Sequence, residues 1–188
     1  MSKFLLYVSY ALFFYLAYIF LIYFFQRSLL YFPSKTEIHD YYYSETNLKK
    51  VSIKTSDGII LKSLYRPALS KKNTFLIFHG NAGHIGHRVN KFKPFLDAGY
   101  GLLLLEYRGY GENLGSPSEQ GLYKDAEAAI NYLKNLKILP KNIIIYGESL
   151  GTGIAVKVST EFKFHSTILE APFTSISDVA RRHYWVLA

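Results

Sequence analysis

The run Gly147-Glu148-Ser149-Leu150-Gly151 constrains the fold of this chain more than any other feature of its sequence. It follows the apolar residues 143–146 and precedes a helix-like segment, and a G-x-S-x-G turn between a strand and a helix presents a serine nucleophile. Such a sharp turn brings the backbone and the helix too close for side chains, which is why it needs glycine on either side. We therefore predict that Ser149 is a nucleophile on a strand–helix elbow. The alternative is a glycine-rich turn that happens to contain a serine.

Strand and helix patterns alternate regularly from residue 51 onward. The predicted strands cover residues 51–55, 59–65, 74–78, 101–107, 142–146 and 166–169, and the predicted helices cover residues 88–98, 118–136 and 150–161. Strands that alternate with helices form a mostly parallel sheet with crossover helices on its faces. We therefore predict an α/β fold of this kind.

A long uncharged segment precedes the α/β pattern. Residues 4–25 carry no charged side chain and are mostly Phe, Leu, Tyr and Ile. As a helix at about 1.5 Å per residue, they would span roughly 33 Å, enough for a bilayer core of about 30 Å. A signal peptide has a shorter apolar run that ends in small residues, which this segment lacks. We predict a membrane-spanning anchor, with a signal peptide and a buried core helix as the alternatives.

The predicted organisation is an anchor over residues 1–25, a connector over residues 26–50 and an incomplete α/β domain over residues 51–188. The connector has no clean periodicity and contains three consecutive tyrosines. It either lies along the membrane interface, where tyrosine is favoured, or packs on the domain. The cytoplasmic flank of a membrane helix usually carries more Lys and Arg than the other flank. Positive charges lie at both ends of this anchor, so this rule does not decide its orientation.

Net charge is +8, but the lysines are scattered, and the longest clusters are pairs such as Lys49-Lys50 and Lys71-Lys72. Nucleic-acid binding requires a basic stripe or a recognition motif, so we expect no nucleic-acid partner. Attraction to anionic lipid headgroups suits a tethered basic domain better. The chain contains no cysteine, which excludes disulfides and thiol catalysis.

Two backbone amides are candidates for an oxyanion hole. The N–H of Leu150 lies at a helix start, where amides point outward and stabilise negative charge. The second donor of a G-x-S-x-G fold comes from the loop after an earlier strand, here His79-Gly80-Asn81-Ala82-Gly83. The N–H of Asn81 is our first choice for that donor and the N–H of Ala82 our second. We expect His79 itself to be structural rather than a catalytic base.

The sequence resembles the single-pass, membrane-anchored α/β-hydrolase-domain proteins, which include protein depalmitoylases. The resemblance rests on Phe78–Arg88, Glu106–Gly111, Gly115–Ala126, Gly147–Gly151 and Glu170–Ser175. It implies an α/β-hydrolase fold and ester or thioester substrates. This sequence departs from the family's usual residues at His84, Glu106 and Asn113, where Asn, Asp and a nearby Ser are usual.

The larger departure concerns the acid and the base that a serine nucleophile requires. In the family they follow later strands, which we expect this sequence not to contain. Asp178 and His183 do follow Ser149 in the order Ser, Asp, His. They are five residues apart in a segment predicted as one helix, however, where positions i and i+5 point in different directions. We therefore expect the chain alone to have little esterase activity.

Metal and cofactor binding have weaker sequence support. His79, His84 and His87 have no carboxylate or cysteine at ligand spacing, so they do not form a zinc motif. Gly109, Gly111 and Gly115 do not open a helix, as a dinucleotide-binding loop would. We expect no metal and no cofactor.

The sequence thus predicts a membrane-anchored serine hydrolase that acts through an acyl-enzyme on Ser149. Its expected partners are the lipid bilayer, an acyl ester or an acylated protein as substrate, and a complementing C-terminal chain. The alternative is a non-catalytic, membrane-tethered binding module or one half of a split hydrolase.

Overall fold

A computed structural model describes residues 3–183, with side chains up to Val179. The chain divides into two compact units, the first ending at Phe32 and the second beginning at Pro33. The first unit is helix α1 (Lys3–Leu30), 28 residues long. By length and composition α1 is able to cross a membrane, and a signal sequence near an N-terminus would meet the same two criteria.

The second unit is built on a six-stranded sheet. After α1 the chain forms the short strand β1 (Phe32–Pro33), which spans the boundary between the units. The elements that follow are β2 (Lys49–Lys54), β3 (Ile60–Arg66), β4 (Thr74–Phe78), β5 (Ala82–Gly83), α2 (Val89–Asp97), β6 (Gly101–Leu105), α3 (Glu119–Asn135), β7 (Ile143–Glu148), α4 (Leu150–Glu161), β8 (Ser166–Glu170) and α5 (Ile176–His183). The sheet order is β2-β3-β6-β4-β7-β8. The pairs β6-β4, β4-β7 and β7-β8 are parallel, whereas β2-β3 and β3-β6 are antiparallel. The mostly parallel sheet predicted from the alternating pattern is therefore confirmed.

Both faces of the sheet centre are buried. Every residue of β4 and β6 is buried, and successive residues of a strand point to opposite faces. Phe75, Ile77 and Leu102 pack in one cluster with Phe92 and Leu96 of α2. Helices α3 and α4 contact each other, and they also contact strands β6, β4 and β7 of the sheet. Because β4 and β7 are parallel neighbours, their carboxyl ends meet at one edge of the sheet, where the elbow lies.

The stretch after α1 contributes to the domain core. Ile38, Tyr43 and Leu48 are buried and belong to the same cluster as α2. Burial and a hydrogen bond to the Asp40 carboxylate raise the pKa of Tyr43 to about 12. The connector was expected either to lie along the membrane interface or to pack on the domain. These three residues pack on the domain.

Candidate active site

Ser149 lies at an abrupt turn between β7 and α4. Its backbone has φ 48° and ψ −114°, a conformation that L-residues adopt only when the surrounding structure enforces it, at a cost of about 1–3 kcal/mol. Its N–H donates to the carbonyl oxygen of Glu170 at 2.9 Å. Its own carbonyl accepts the Thr152 N–H at 2.8 Å and the Thr152 hydroxyl at 2.6 Å. Backbone contacts from both sides therefore fix this serine.

The two glycines of the motif allow the helix to approach the sheet. A Cβ on Gly151 would lie 2.0 Å from the carbonyl oxygen of Phe78, and one on Gly147 would lie 2.6 Å from the carbonyl oxygen of Gly151. Both distances are far below van der Waals contact, and the obstructing atoms are backbone, which cannot rotate away. Glycine is therefore required at both positions for steric reasons.

The same close approach brings the two candidate oxyanion segments together. Leu150 is the first residue of α4, and the first amides of a helix have no partner within it. Because Gly151 touches the backbone of Phe78 and His79, the start of α4 lies beside the chain that leads into Asn81. The two segments that carry the expected oxyanion donors therefore approach each other at this edge of the sheet.

Two tyrosines hold the loop of residues 79–83, which we call the oxyanion loop. The Tyr107 hydroxyl donates to the His79 carbonyl at 3.0 Å. The Tyr110 hydroxyl lies 2.8 Å from the Asn81 carbonyl oxygen and 3.0 Å from Oδ1 of the same residue. Both tyrosines are buried. Their hydroxyls therefore anchor the loop backbone from inside the domain.

His79 is fully buried and contributes to the same anchoring. Its ring stacks on Tyr107 with centroids 4.1 Å apart. Nδ1 lies 2.7 Å from the Gly80 carbonyl oxygen, and Nε2 lies 3.0 Å from Oε1 of Glu106 at ion-pair distance, though poorly aligned for a hydrogen bond. The other oxygen of Glu106 accepts the Ile85 N–H at 2.9 Å. Both ring nitrogens thus face internal partners, as a structural histidine requires.

Comparisons with known proteins give the family and the fold of this chain. Residues 70–188 match the family described as serine aminopeptidase, S33. The chain belongs to this family of α/β-hydrolases. The fold is the one found in the Pyrococcus furiosus esterase Pf2001, with a TM-score of 0.69 and 20% sequence identity over 81% of this chain and 62% of that one.

Two relatives with more than 30% sequence identity are considerably longer than this chain. An uncharacterised protein of Mycobacterium tuberculosis is 36% identical over 85% of this chain and 58% of its own length. A lysophosphatidylserine lipase, ABHD12, of Danio rerio is 40% identical over 61% of this chain and 31% of its own length. The chain therefore spans about half the length, or less, of these relatives.

The two residues considered as acid and base both lie on α5. Asp178 is in its first turn; its carboxylate accepts the Thr174 hydroxyl at 2.6 Å, and its N–H donates to Oγ of Ser175 at 3.0 Å. The side chain of His183 lies outside the described part of the structure. Within the described part, no hydrogen bond joins the Ser149 hydroxyl to a histidine. The candidate pairing of Asp178 with His183 therefore falls outside the described side chains.

A charged cluster beside the elbow was not identified from the sequence. Lys91 of α2 binds Glu148 at 3.0 Å and also pairs with Glu170, and the Tyr146 hydroxyl donates to Glu170 at 2.5 Å. Burial disfavours the ammonium, but the hydrogen bonds to Glu170 and Glu148 outweigh it and raise the pKa of Lys91. The Lys91 hydrogen bond in turn lowers the pKa of Glu170. The available signal was the pair Glu148 and Glu170 at the ends of two neighbouring strands, since a cation beside two facing carboxylates offsets their repulsion.

A second charged network surrounds Arg108, which follows Tyr107 in the chain. Arg108 donates from Nε to Oδ1 of Asp125 at 2.8 Å and forms a two-point contact with the carboxylate of Asp57. This network ties the loop after β6 to α3 and to the β2–β3 turn, and it is structural. No group of three His, Cys, Asp or Glu side chains able to hold a metal ion occurs among residues 3–179.

Proposed function

We propose that this chain is a membrane-anchored serine hydrolase that cleaves carboxylic esters or thioesters through an acyl-enzyme on Ser149. The observation that carries the proposal is the strained elbow. A non-glycine residue at φ 48°, enclosed by two glycines that admit no Cβ, places one hydroxyl at the carboxyl edge of a parallel sheet. Structural packing alone would be served at lower cost by glycine at that position.

The proposed chemistry has two steps. A base takes the proton of the Ser149 hydroxyl while Oγ attacks the substrate carbonyl carbon, and the N–H groups of Leu150 and Asn81 stabilise the oxyanion that forms. The bond to the alcohol or thiol then breaks, and the base returns its proton to that leaving group. Water attacks the acyl-enzyme in the same way, releasing the acid and restoring the serine.

The proposed substrate class follows from the site and from one relative. A serine nucleophile beside two backbone donors suits an acyl carbonyl, and the Danio rerio relative is a lysophosphatidylserine lipase. A long-chain acyl ester or an acylated protein at a membrane is therefore the proposed substrate. Helix α1, long and apolar enough to span a bilayer, supports the proposed anchoring.

We propose that the base and its carboxylate come from a complementing C-terminal segment. The described residues place no histidine in hydrogen-bond contact with the Ser149 hydroxyl, and strand β8 ends the sheet as described. Its Ile168 and Leu169 are 40% and 38% exposed. A parallel edge with exposed apolar side chains is suited to a further strand, which a complementing segment would supply.

The test joins the C-terminal part of the Mycobacterium tuberculosis relative, from the end of its matched region, to Ala188. We expect a fluorophosphonate probe to label this complemented chain on Ser149. The original chain should be labelled about a thousandfold more slowly, because loss of triad members removes that much rate. Ser149→Ala in the complemented chain is the control and should abolish both labelling and p-nitrophenyl ester turnover.

A folded complemented chain without labelling would contradict the catalytic proposal and favour the non-catalytic binding module. Equal labelling of the original chain would show instead that residues 1–188 contain their own base, and Asp178 with His183 would be reconsidered.

A further inference from the structure

The residues that hold the elbow in place include a lysine far from it in sequence. Glu148 and Glu170 end the parallel strands β7 and β8 and stand opposite each other in register. Two carboxylates in such a position repel each other. Lys91 of α2 binds both of them, so it neutralises the repulsion and ties the two strand ends to the helix.

The hydrogen bond that fixes Ser149 starts from one of these two glutamates. The Glu170 carbonyl accepts the Ser149 N–H at 2.9 Å. Strained residues lie on both sides of this bond, because Ser149 has φ 48° and Ala171, which follows Glu170, has φ 50°. Two such conformations persist only when their surroundings over-determine them. The Lys91 contact to Glu170 is an external restraint at this point.

The other glutamate reaches the oxyanion loop. A Cβ on Gly80 would lie 3.1 Å from Oε1 of Glu148, so this carboxylate packs against the backbone just before Asn81. Arg88 approaches the same oxygen at 3.9 Å, as a weaker second cation. The position of Glu148 is therefore coupled both to the serine that follows it and to the loop opposite.

From these contacts we propose that Lys91 is a positioning residue, which fixes the Ser149 backbone against the oxyanion loop by clamping Glu148 and Glu170. Lys91 does not touch substrate in this arrangement. It acts through the two carboxylates, and its importance for turnover rests on the proposed function, whereas its effect on the backbone does not.

The backbone test is made on the full chain in lipid nanodiscs. Lys91→Met should speed hydrogen exchange of the Ser149 amide about tenfold, since the bond to Glu170 opens more often. Exchange in residues 79–83 should also rise. Lys93→Met is the matched control, because Lys93 lies on the same helix and, among the residues that the structure describes, forms its ion pair with exposed Asp97 at 2.8 Å. Its exchange at Ser149 should stay within about twofold of the original.

Conservative rescue separates positioning from general packing. Lys91→Arg keeps a cation that can bind two carboxylates and should restore slow exchange at Ser149. Unchanged exchange in Lys91→Met, or equal acceleration in Lys93→Met, would overturn the clamp. Failure of Lys91→Arg to restore slow exchange would also count against it.

The complemented chain supplies the catalytic arm. There Lys91→Met should lower the maximal rate of fluorophosphonate labelling about tenfold or more with little change in probe affinity, because misplacement of a nucleophile affects the reaction step. If the complemented chain is not labelled at all, the proposed function fails, and the exchange data alone decide on the clamp. If the complemented chain is labelled and Lys91→Met leaves its labelling rate unchanged, the positioning role is wrong.

Discussion

At the scale of single residues, steric exclusion at the glycines determines the shape of the elbow. Gly151 approaches the backbone of β4 so closely that no side chain fits. Gly153 lies two residues further along the same helix, and a Cβ there would meet its nearest obstruction, the Phe173 ring, at 3.7 Å. The two glycines differ in surroundings but not in residue type. They offer a matched pair for testing the close approach.

Gly151→Ala should prevent folding of the domain or destabilise it by more than about 3 kcal/mol, since its Cβ would lie 2.0 Å from the Phe78 carbonyl oxygen. Gly153→Ala should leave stability unchanged or raise it by about 0.5–1 kcal/mol, because alanine favours helix. Thermal unfolding of the full chain in detergent measures both. Equal melting temperatures for the two variants would refute the steric account.

Asp57 gives a residue-scale prediction about pH. Hydrogen bonds from Arg108 and from Thr55 hold the pKa of this carboxyl well below its ordinary value of 3.8. A lowered folded pKa means that the stabilisation is fully present above the ordinary value and is lost as pH falls below it toward the folded pKa. Asp57→Asn should therefore cost about 1–2 kcal/mol near pH 7, and this difference should shrink between about pH 4 and pH 2.

The control for that experiment is Asp97→Asn, which breaks an exposed pair with Lys93 worth about 0.5 kcal/mol or less and removes a negative charge near Arg66. Urea unfolding at several pH values gives the free energies. A difference between Asp57→Asn and the original chain that stays constant down to pH 2 would contradict the assignment.

At the scale of elements, the oxyanion loop depends on tyrosines that come from another segment. Tyr110 holds both the carbonyl and the side chain of Asn81. Tyr110→Phe removes its hydroxyl and should free the loop, with exchange of the amides of residues 79–83 rising about fivefold to tenfold. Tyr123→Phe is the control, since its hydroxyl bonds to exposed Glu119 on α3. Unaltered exchange in Tyr110→Phe would show that packing alone shapes the loop.

Elements with a clear period were predictable from sequence, and their ends were less so. Helix α4 has the predicted bounds. Strand β7 was predicted to end at Tyr146 but runs to Glu148, because Gly147 and Glu148 still pair with β8. The strand predicted over residues 101–107 ends at Leu105, where the backbone turns away and the Glu106 N–H donates to the Ser63 hydroxyl. Backbone pairing, rather than local propensity, sets these boundaries.

Features that join distant segments were not predictable. Ile38, Tyr43 and Leu48 enter the core from a stretch of short 3₁₀ turns, which has neither a strand nor a helix period. The Lys91 clamp joins α2 to two strand ends, and no local pattern relates those positions. The G-x-S-x-G motif, by contrast, carries its geometry within five residues, which is why the elbow was predictable.

At the scale of the whole molecule, the proposed membrane anchoring rests on α1. We expect the chain to remain in the membrane pellet after alkaline carbonate extraction, because a helix of this length and composition partitions into the bilayer core. Intact mass of the extracted protein should include residues 1–25, which a cleaved signal peptide would remove. A variant with aspartate at Leu12, Leu16 and Phe20 is the control and should appear in the soluble wash. Release of the original chain would refute the anchor.

The strain at Ser149 has a consequence for how such a chain evolves. A residue held at φ 48° lowers the stability of the domain, and glycine would relieve that cost without disturbing the fold. A lineage that no longer needs the hydroxyl gains stability by the single change of serine to glycine, so drift favours that loss. Under the proposed function, serine at this position is therefore a stability cost that selection for its hydroxyl would maintain.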